Sequence, residues 1–327
     1  MSIIEKAAGK LEAQYQTPPV QGPLTGEDAQ RERALIEESI ERAAASFDET
    51  PARPARKPSG DDQEGPATVW GGTSRQVSID IARLKAMGMV TPDAGRDKIA
   101  EEFRLIKRPL LARAFGHGDT PRVPRGNLIM ITSSLPGEGR SFTAINLAIS
   151  MATEMENTVL LVDADVAKSA IPRYLGIEAK DGLIDVLRNP RLPLSDVLIK
   201  TDIAKLTVLP AGPSIAHANE LLASSAMKAF VEDIANRYPD RIVLFDSPPL
   251  LATSEATVLA SYMGQIVFVV EAERTPQEAV KDALTHLSGC EHIGLVLNKA
   301  PARSVHGDYY GYGYGYGYGY GYGEYGR

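Results

Sequence analysis

Six short runs of Val, Ile and Leu recur between residues 127 and 297, and sequence of helical spacing separates most of them. They are 127–132 (NLIMIT), 158–162 (TVLLV), 205–209 (KLTVL), 241–245 (RIVLF), 265–270 (QIVFVV) and 293–297 (IGLVL). Their apolar residues are consecutive rather than alternating, as in strands buried on both faces. Helices are expected over 97–111, 142–153, 220–238 and 276–288. This alternation predicts an α/β fold of the P-loop NTPase type, a mostly parallel sheet with helices on both faces. Ligands of such sheets bind at the carboxyl ends of the strands.

The first run leads into Ser134-Leu135-Pro136-Gly137-Glu138-Gly139-Arg140-Ser141, followed by Phe142 and a helical pattern. A Gly-rich turn between strand and helix is the frame of a phosphate-binding loop, whose backbone N–H groups cradle phosphates at a helix N-terminus. Pro136 to Phe142 are thus the expected nucleotide contacts, and the Ser141 hydroxyl the expected Mg²⁺ ligand. One position departs from the motif, because Arg140 stands where the motif has lysine. A planar guanidinium does not replace a compact ammonium between phosphates. Phosphoryl transfer, which depends on charge placed at the γ-phosphate, is the property this substitution puts in question.

Two later runs end on aspartate, at Asp163-Ala164-Asp165 and at Asp246-Ser247-Pro248-Pro249. An acid closing a buried strand is where a P-loop enzyme holds Mg²⁺. Asp246 and Asp163 are therefore read as metal-binding. Asp163 is also read as the base or orienting group for an acceptor hydroxyl, with Asp165 supporting the metal shell and Arg140 completing the catalytic set. Either acid alone could instead cap a helix.

The ends of the chain differ from this middle. Residues 1–66 are polar and punctuated by proline, and read as disordered linker with one helical island at 27–46. Residues 67–94 form a transition, 95–305 the P-loop domain and 306–327 a tail. The tail carries Tyr309, Tyr310, Tyr312, Tyr314, Tyr316, Tyr318, Tyr320, Tyr322 and Tyr325, separated mainly by glycine, out of 13 tyrosines in the chain. Its phenols read as available to another molecule or to an active site. Residues 301–327 would span roughly 90 Å when extended and about 30 Å as a flexible coil. A net charge of -7 argues against a nucleic-acid partner. A single cysteine, Cys290, suits a reducing compartment. No apolar run approaches the roughly 18 residues needed to cross a bilayer. A cytoplasmic location is expected.

The loop SSLPGEGRS, the DAD and LFDSPP strand ends and the terminal tyrosines resemble the bacterial protein-tyrosine kinases of exopolysaccharide and capsule synthesis. The stretches AEEFRLIKRP (100–109) and NELLAS (219–224) are similar to the subgroup found with exosortase and PEP-CTERM systems. The resemblance covers about residues 94–300 and the tail. It implies ATP and Mg²⁺ as cofactors and autophosphorylation of the tail tyrosines between subunits of a ring-shaped homo-oligomer. It further implies a separate transmembrane chain-length determinant as activator, peripheral attachment to the inner membrane through that partner, and a cognate tyrosine phosphatase. Glu101, Arg104 and Lys107 match the family's oligomerisation motif, with lysine in its last place, and are expected on one helix face. Asn298 and Lys299 stand where related folds contact the base. After Asp165 the family's arginines and proline are replaced by Ala167, Lys168 and Ser169. Two other readings stay open: a nucleotide-binding scaffold that transfers little phosphate because of Arg140, and a positioning ATPase of the ParA/MinD type. The latter group carries an early lysine in the loop, where this chain has Ser134, Leu135 and Pro136.

Overall fold

The computed structural model describes residues 75–301, apart from 96, 155–156, 216 and 239. The expected N-terminal linker, the helix over 27–46 and the nine tail tyrosines lie outside the described residues. In chain order the elements are β1 (Arg75–Val77), α1 (Ile81–Ala86), α2 (Lys98–Phe115), β2 (Leu128–Ser133), α3 (Arg140–Ala152), β3 (Thr158–Asp163), α4 (Ile171–Leu175), α5 (Leu183–Arg188) and α6 (Leu194–Val197). They continue with β4 (Ile199–Thr201), β5 (Leu206–Leu209), α7 (Ala218–Leu222), α8 (Ser225–Arg237), β6 (Arg241–Asp246), α9 (Ser254–Ala260), β7 (Gln265–Glu271), α10 (Gln277–Thr285) and β8 (Ile293–Asn298).

The strands form one sheet in the order β1-β4-β5-β3-β6-β2-β7-β8. All neighbours run parallel except β4 and β5. The expected doubly covered sheet is therefore present. Alternate residues of the central strands feed two separate cores. Met130, Leu160, Val162, Phe245 and Phe268 pack on one face with α5, α7, α8 and α9. Ile129, Ile131, Leu161, Leu244 and Val267 pack on the other with α1, α2 and α3. Helix α3 is enclosed almost all round, with Ile145, Leu147 and Ile149 fully buried, because it fills the space between β2, β3 and α2.

Several details depart from the sequence expectations. The single helix expected over 220–238 is two helices, because the Ser224 side chain accepts from Met227 N–H and starts α8 afresh. Helix α2 continues past the expected end at 111 to Phe115, carrying Pro109 on an exposed side while Leu110 and Ala114 anchor the last turns in the core. The short strands β1 and β4 carry too few residues for a periodic signal, and the antiparallel pairing of β4 with β5 makes the sheet mixed near that edge.

The largest correction concerns the helix face expected to carry Glu101, Arg104 and Lys107. Six residues at 3.6 per turn place Lys107 roughly 120° round the helix from Glu101. Glu101 and Arg104 do pair on the exposed side, and Arg104 also donates to the Gly95 carbonyl. Lys107 instead points inward. Its Nζ lies 2.6 Å from the Ser150 carbonyl and 2.7 Å from Glu154 Oε1. It is a strut between α2 and the end of α3.

Replacing buried Leu147 by alanine is expected to cost about 2–5 kcal/mol. Leu105→Ala, at a position 68% exposed, should change stability by no more than about 0.5 kcal/mol. Urea unfolding of both variants, monitored by circular dichroism, checks the pair.

Candidate active site

Three strand ends converge where the sheet reverses its direction of growth. The chain steps from β2 across β6 to β3, and later from β6 across β2 to β7. Such a reversal opens a crevice at the carboxyl ends of the central strands. Here it exposes the turn after β2, the end of β3 and the end of β6.

The turn after β2 has the conformation expected of an anion cradle. Gly137 has φ +91° and Gly139 φ +100°, values that favour glycine. Gly139 carries a second constraint, because a Cβ there would collide with the Asn298 side-chain amide. Helix α3 starts at Arg140 with no side chain capping its first turn, so its leading N–H groups have no capping acceptor from a side chain. Pro136 and Gly137 are exposed, and Ser141 and Phe142 are half-buried.

Glu138 is buried and ties the turn down. Its Oε2 accepts from Leu135 N–H at 2.6 Å, and its Oε1 accepts from the Thr275 hydroxyl beyond β7. Asn298 Nδ2 donates to the Glu138 carbonyl at 2.8 Å, and Lys299 Nζ to the Gly137 carbonyl at 2.8 Å. The Asn298 amide nitrogen thus helps to hold the loop. Sequence reasoning missed Glu138 and Thr275 in this bracing role, and nothing in their local pattern signals it.

Arg140 lies beneath the loop, not above it. Its Nε donates to the Ser247 carbonyl at 2.9 Å. Its Nη1 donates to Ser133 Oγ at 2.7 Å and to the Leu135 carbonyl at 3.0 Å. Its Nη2 meets Asp165 Oδ2 at 3.2 Å, with both side chains under a tenth exposed. The guanidinium is a bolt joining the ends of β2, β3 and β6. Asp165, expected beside the metal shell, is its counterion.

Asp163 and Asp246 face each other in register across β3 and β6. Both are fully buried. Asp163 Oδ2 accepts from the Ser169 hydroxyl at 2.7 Å and from Ile171 N–H at 3.3 Å, while its Oδ1 has no hydrogen-bond partner. Neither Asp246 oxygen meets a well-formed donor. Burial pushes the Asp163 carboxyl up to about 7, the Ser169 hydroxyl works against that shift, and the Asp165 charge adds to it. Burial and then the Asp163 charge push Asp246 up to about 8, partly offset by the nearby Ser141 hydroxyl and Arg140 guanidinium.

These orphaned oxygens test whether a cation suits the site. Two adjacent buried carboxylates with three oxygens that lack donors, and the Ser141 hydroxyl beside them, form an incomplete shell for a small hard cation. Mg²⁺ takes such partial shells and completes them with water and phosphate oxygens. Ser141, Asp163 and Asp246 therefore fit the ion.

Comparisons with known proteins identify the family. The AAA domain family matches residues 126–291. The tyrosine-protein kinase YwqD of Bacillus subtilis is 34% identical over 187 residues, which is 56% of this chain and 77% of YwqD. This chain belongs to the bacterial tyrosine-kinase family. The succinoglycan biosynthesis transport protein ExoP of Rhizobium meliloti is 32% identical over 225 residues, covering 67% of this chain and 27% of ExoP. The chain likewise spans only 23% to 31% of other long curated relatives. Among solved structures, the chimeric protein CapA2B2 superposes with a TM-score of 0.57 and 28% identity, over 68% of this chain and 93% of that one.

The raised carboxyls give the site a pH dependence. Between the unfolded value of 3.8 and the folded values, the native state binds more protons than the unfolded state. Without Mg²⁺, stability should be full below about pH 4 on this account and fall as pH rises through 7 and 8. Mg²⁺ affinity should run the other way and strengthen from pH 6 to 8.5. Asp246→Asn should flatten both trends. Thermal unfolding with and without Mg²⁺, across that range, measures them.

Proposed function

We propose that this protein is an ATP-dependent protein-tyrosine autokinase that phosphorylates its own terminal tyrosines. The observation that carries this reading is the pair Asp163 and Asp246, buried side by side beneath a phosphate loop, in a chain whose last residues are a tyrosine cluster. The curated relatives named as tyrosine-protein kinases support it.

In this reading the N–H groups of residues 137–142 bind the β- and γ-phosphates of ATP. Ser141, Asp163 and Asp246 would hold Mg²⁺, which when bound neutralises charge on the phosphates. Asp163 orients a tail phenol and takes its proton. The phenolate oxygen forms a bond to the γ-phosphorus as the bond from that phosphorus to the β,γ-bridging oxygen breaks, and ADP leaves. The acceptors are Tyr309, Tyr310, Tyr312, Tyr314, Tyr316, Tyr318, Tyr320, Tyr322 and Tyr325, offered by a neighbouring subunit of a homo-oligomeric ring. Glu101 and Arg104 contribute to the subunit contact from their exposed face on α2. Each phosphate adds about -1.5 to -2 charges, and their repulsion loosens the ring.

No helix among the described residues is long and apolar enough to cross a membrane. The proposed location is the cytoplasmic side of the inner membrane, held there by a transmembrane chain-length determinant that also activates the enzyme. A tyrosine phosphatase resets the tail. The output is control of exopolysaccharide or capsule synthesis, in keeping with the polysaccharide role in the name of ExoP.

The engagement of Arg140 favours one second reading. Its guanidinium is committed to Ser133, Leu135, Asp165 and Ser247, which leaves the loop short of the mobile cation that P-loop transfer uses. A nucleotide-binding scaffold with little transfer follows from that shortage.

Phosphotyrosine blotting and tail mass spectrometry after incubation of the full chain with ATP and Mg²⁺ separate the two. The kinase reading expects tail label in the parent and a loss of roughly 100-fold or more in Asp163→Asn, the span of a lost acid–base group. The scaffold reading expects label only in Arg140→Lys. Retained label in Asp163→Asn overturns the role given to that acid.

A further inference from the structure

We propose that the tail segment from Tyr310 to Tyr322 docks on the open edge of β8 of its own chain, as an added antiparallel strand with its tyrosines over Leu295 and Leu297.

The argument starts from an edge that lacks the usual protection. Strand β8 is the last in the sheet order and is paired only with β7 among the described residues. Ile266 N–H bonds to the His292 carbonyl and Ala272 N–H to the Asn298 carbonyl. The even-numbered residues of β8 therefore face β7. In a parallel ladder backbone groups alternate sides, so the N–H and C=O of Ile293, Leu295 and Leu297 point out of the sheet edge. Native proteins blunt such edges with charge, proline or brevity. The opposite edge is blunted in this way, since β1 has three residues and begins with Arg75. Strand β8 has six residues from Ile293 to Asn298 and no charged side chain.

The same edge carries apolar surface. Leu295 is 60% exposed and Leu297 64% exposed, and with Leu105 they are the most exposed large hydrophobics among the described residues. They lie two residues apart, so they share one face of the strand.

The tail has the matching period. From Tyr310 to Tyr322 every second residue is tyrosine and every residue between is glycine. Extended, such a segment presents all its phenol rings on one face. It is a strand with one aromatic side and one bare side. Paired beside β8, it sets rings opposite or diagonal to the two leucines, the contact that stabilises neighbouring strands. The connection suits this too. Residues 299–309 link the two segments, eleven residues (309 − 299 + 1). That length closes an antiparallel hairpin easily, whereas a parallel crossover needs about a dozen or more. Attachment to the same chain also supplies a high effective concentration.

The repeat has a further consequence. A shift of two residues replaces each tyrosine by another tyrosine, so several registers pair equally well. The strand can slide without leaving the edge, and the tyrosines beyond β8 stay unpaired in each register. Docking needs no nucleotide and no phosphoryl transfer, so it stands independently of the kinase reading.

Amide hydrogen exchange by NMR on the full chain tests it without ATP. The comparison is a full-length variant with Tyr310, Tyr312, Tyr314, Tyr316, Tyr318, Tyr320 and Tyr322 each changed to serine. The Leu295 and Leu297 amides should exchange roughly tenfold or more slowly in the parent, the effect of about 1.4 kcal/mol of docking. The β7 amides should not change. In a second variant, Leu295→Thr with Leu297→Thr, the tail glycine resonances should move toward those of an unstructured peptide. Equal exchange in parent and tyrosine variant overturns the proposal. So does protection that grows with protein concentration, which would assign the edge to the tail of a second copy.

Discussion

Two carboxylates held side by side in a fully buried position are the constraint around which this structure is arranged. Asp163 and Asp246 occupy matching places on β3 and β6. Neither can leave, because each ends a strand locked between two apolar cores. Two like charges with three of their four oxygens unpartnered are costly in such a place. Burial and mutual repulsion favour proton uptake by the pair. Ser169 and Ile171 N–H satisfy one oxygen of Asp163 and leave the other open. Both oxygens of Asp246 are left without a hydrogen-bond partner.

The phosphate loop is held in relation to these acids by two sets of contacts on its two sides. Beneath it, Arg140 links the ends of β2, β3 and β6. On the other side Glu138, Thr275, Asn298 and Lys299 tie it to the ends of β7 and β8. Lys299 also pairs with Glu271 at the end of β7. The loop is therefore braced against strands on both flanks, which suits a site that must present backbone N–H groups at fixed positions. The residues that brace it on the second flank lie just before the tail leaves the described fold.

Arginine in place of lysine shows how one substitution changes a side chain's partners. A guanidinium offers five donors in a plane, and the strand ends below the loop supply four acceptors within reach. Such a side chain is retained by its own fold. An ammonium with three donors on a flexible stem is held less firmly and can swing to phosphate. The departure that the sequence showed as a change of type is, in three dimensions, a change of direction.

The sequence by itself determined the six longer strands, the mainly parallel character of the sheet and which residue types close its strands. Continuous Val, Ile and Leu runs leave a parallel sheet little alternative, and a Gly-rich turn or an acid after such a run falls at the carboxyl edge. Those signals are local, and periodicity reads them. What only the tertiary structure decided was partnership. The turn of Lys107 toward Ser150 and Glu154, the inward course of Arg140 and the hold of Asn298 on Glu138 join residues 43, 107 and 160 positions apart in the chain. The split of α7 from α8 and the antiparallel seam at β4 likewise depend on neighbours brought from elsewhere. A pattern of spacing shows which face a residue occupies; the atom it meets there is set by how the strands are ordered in the sheet.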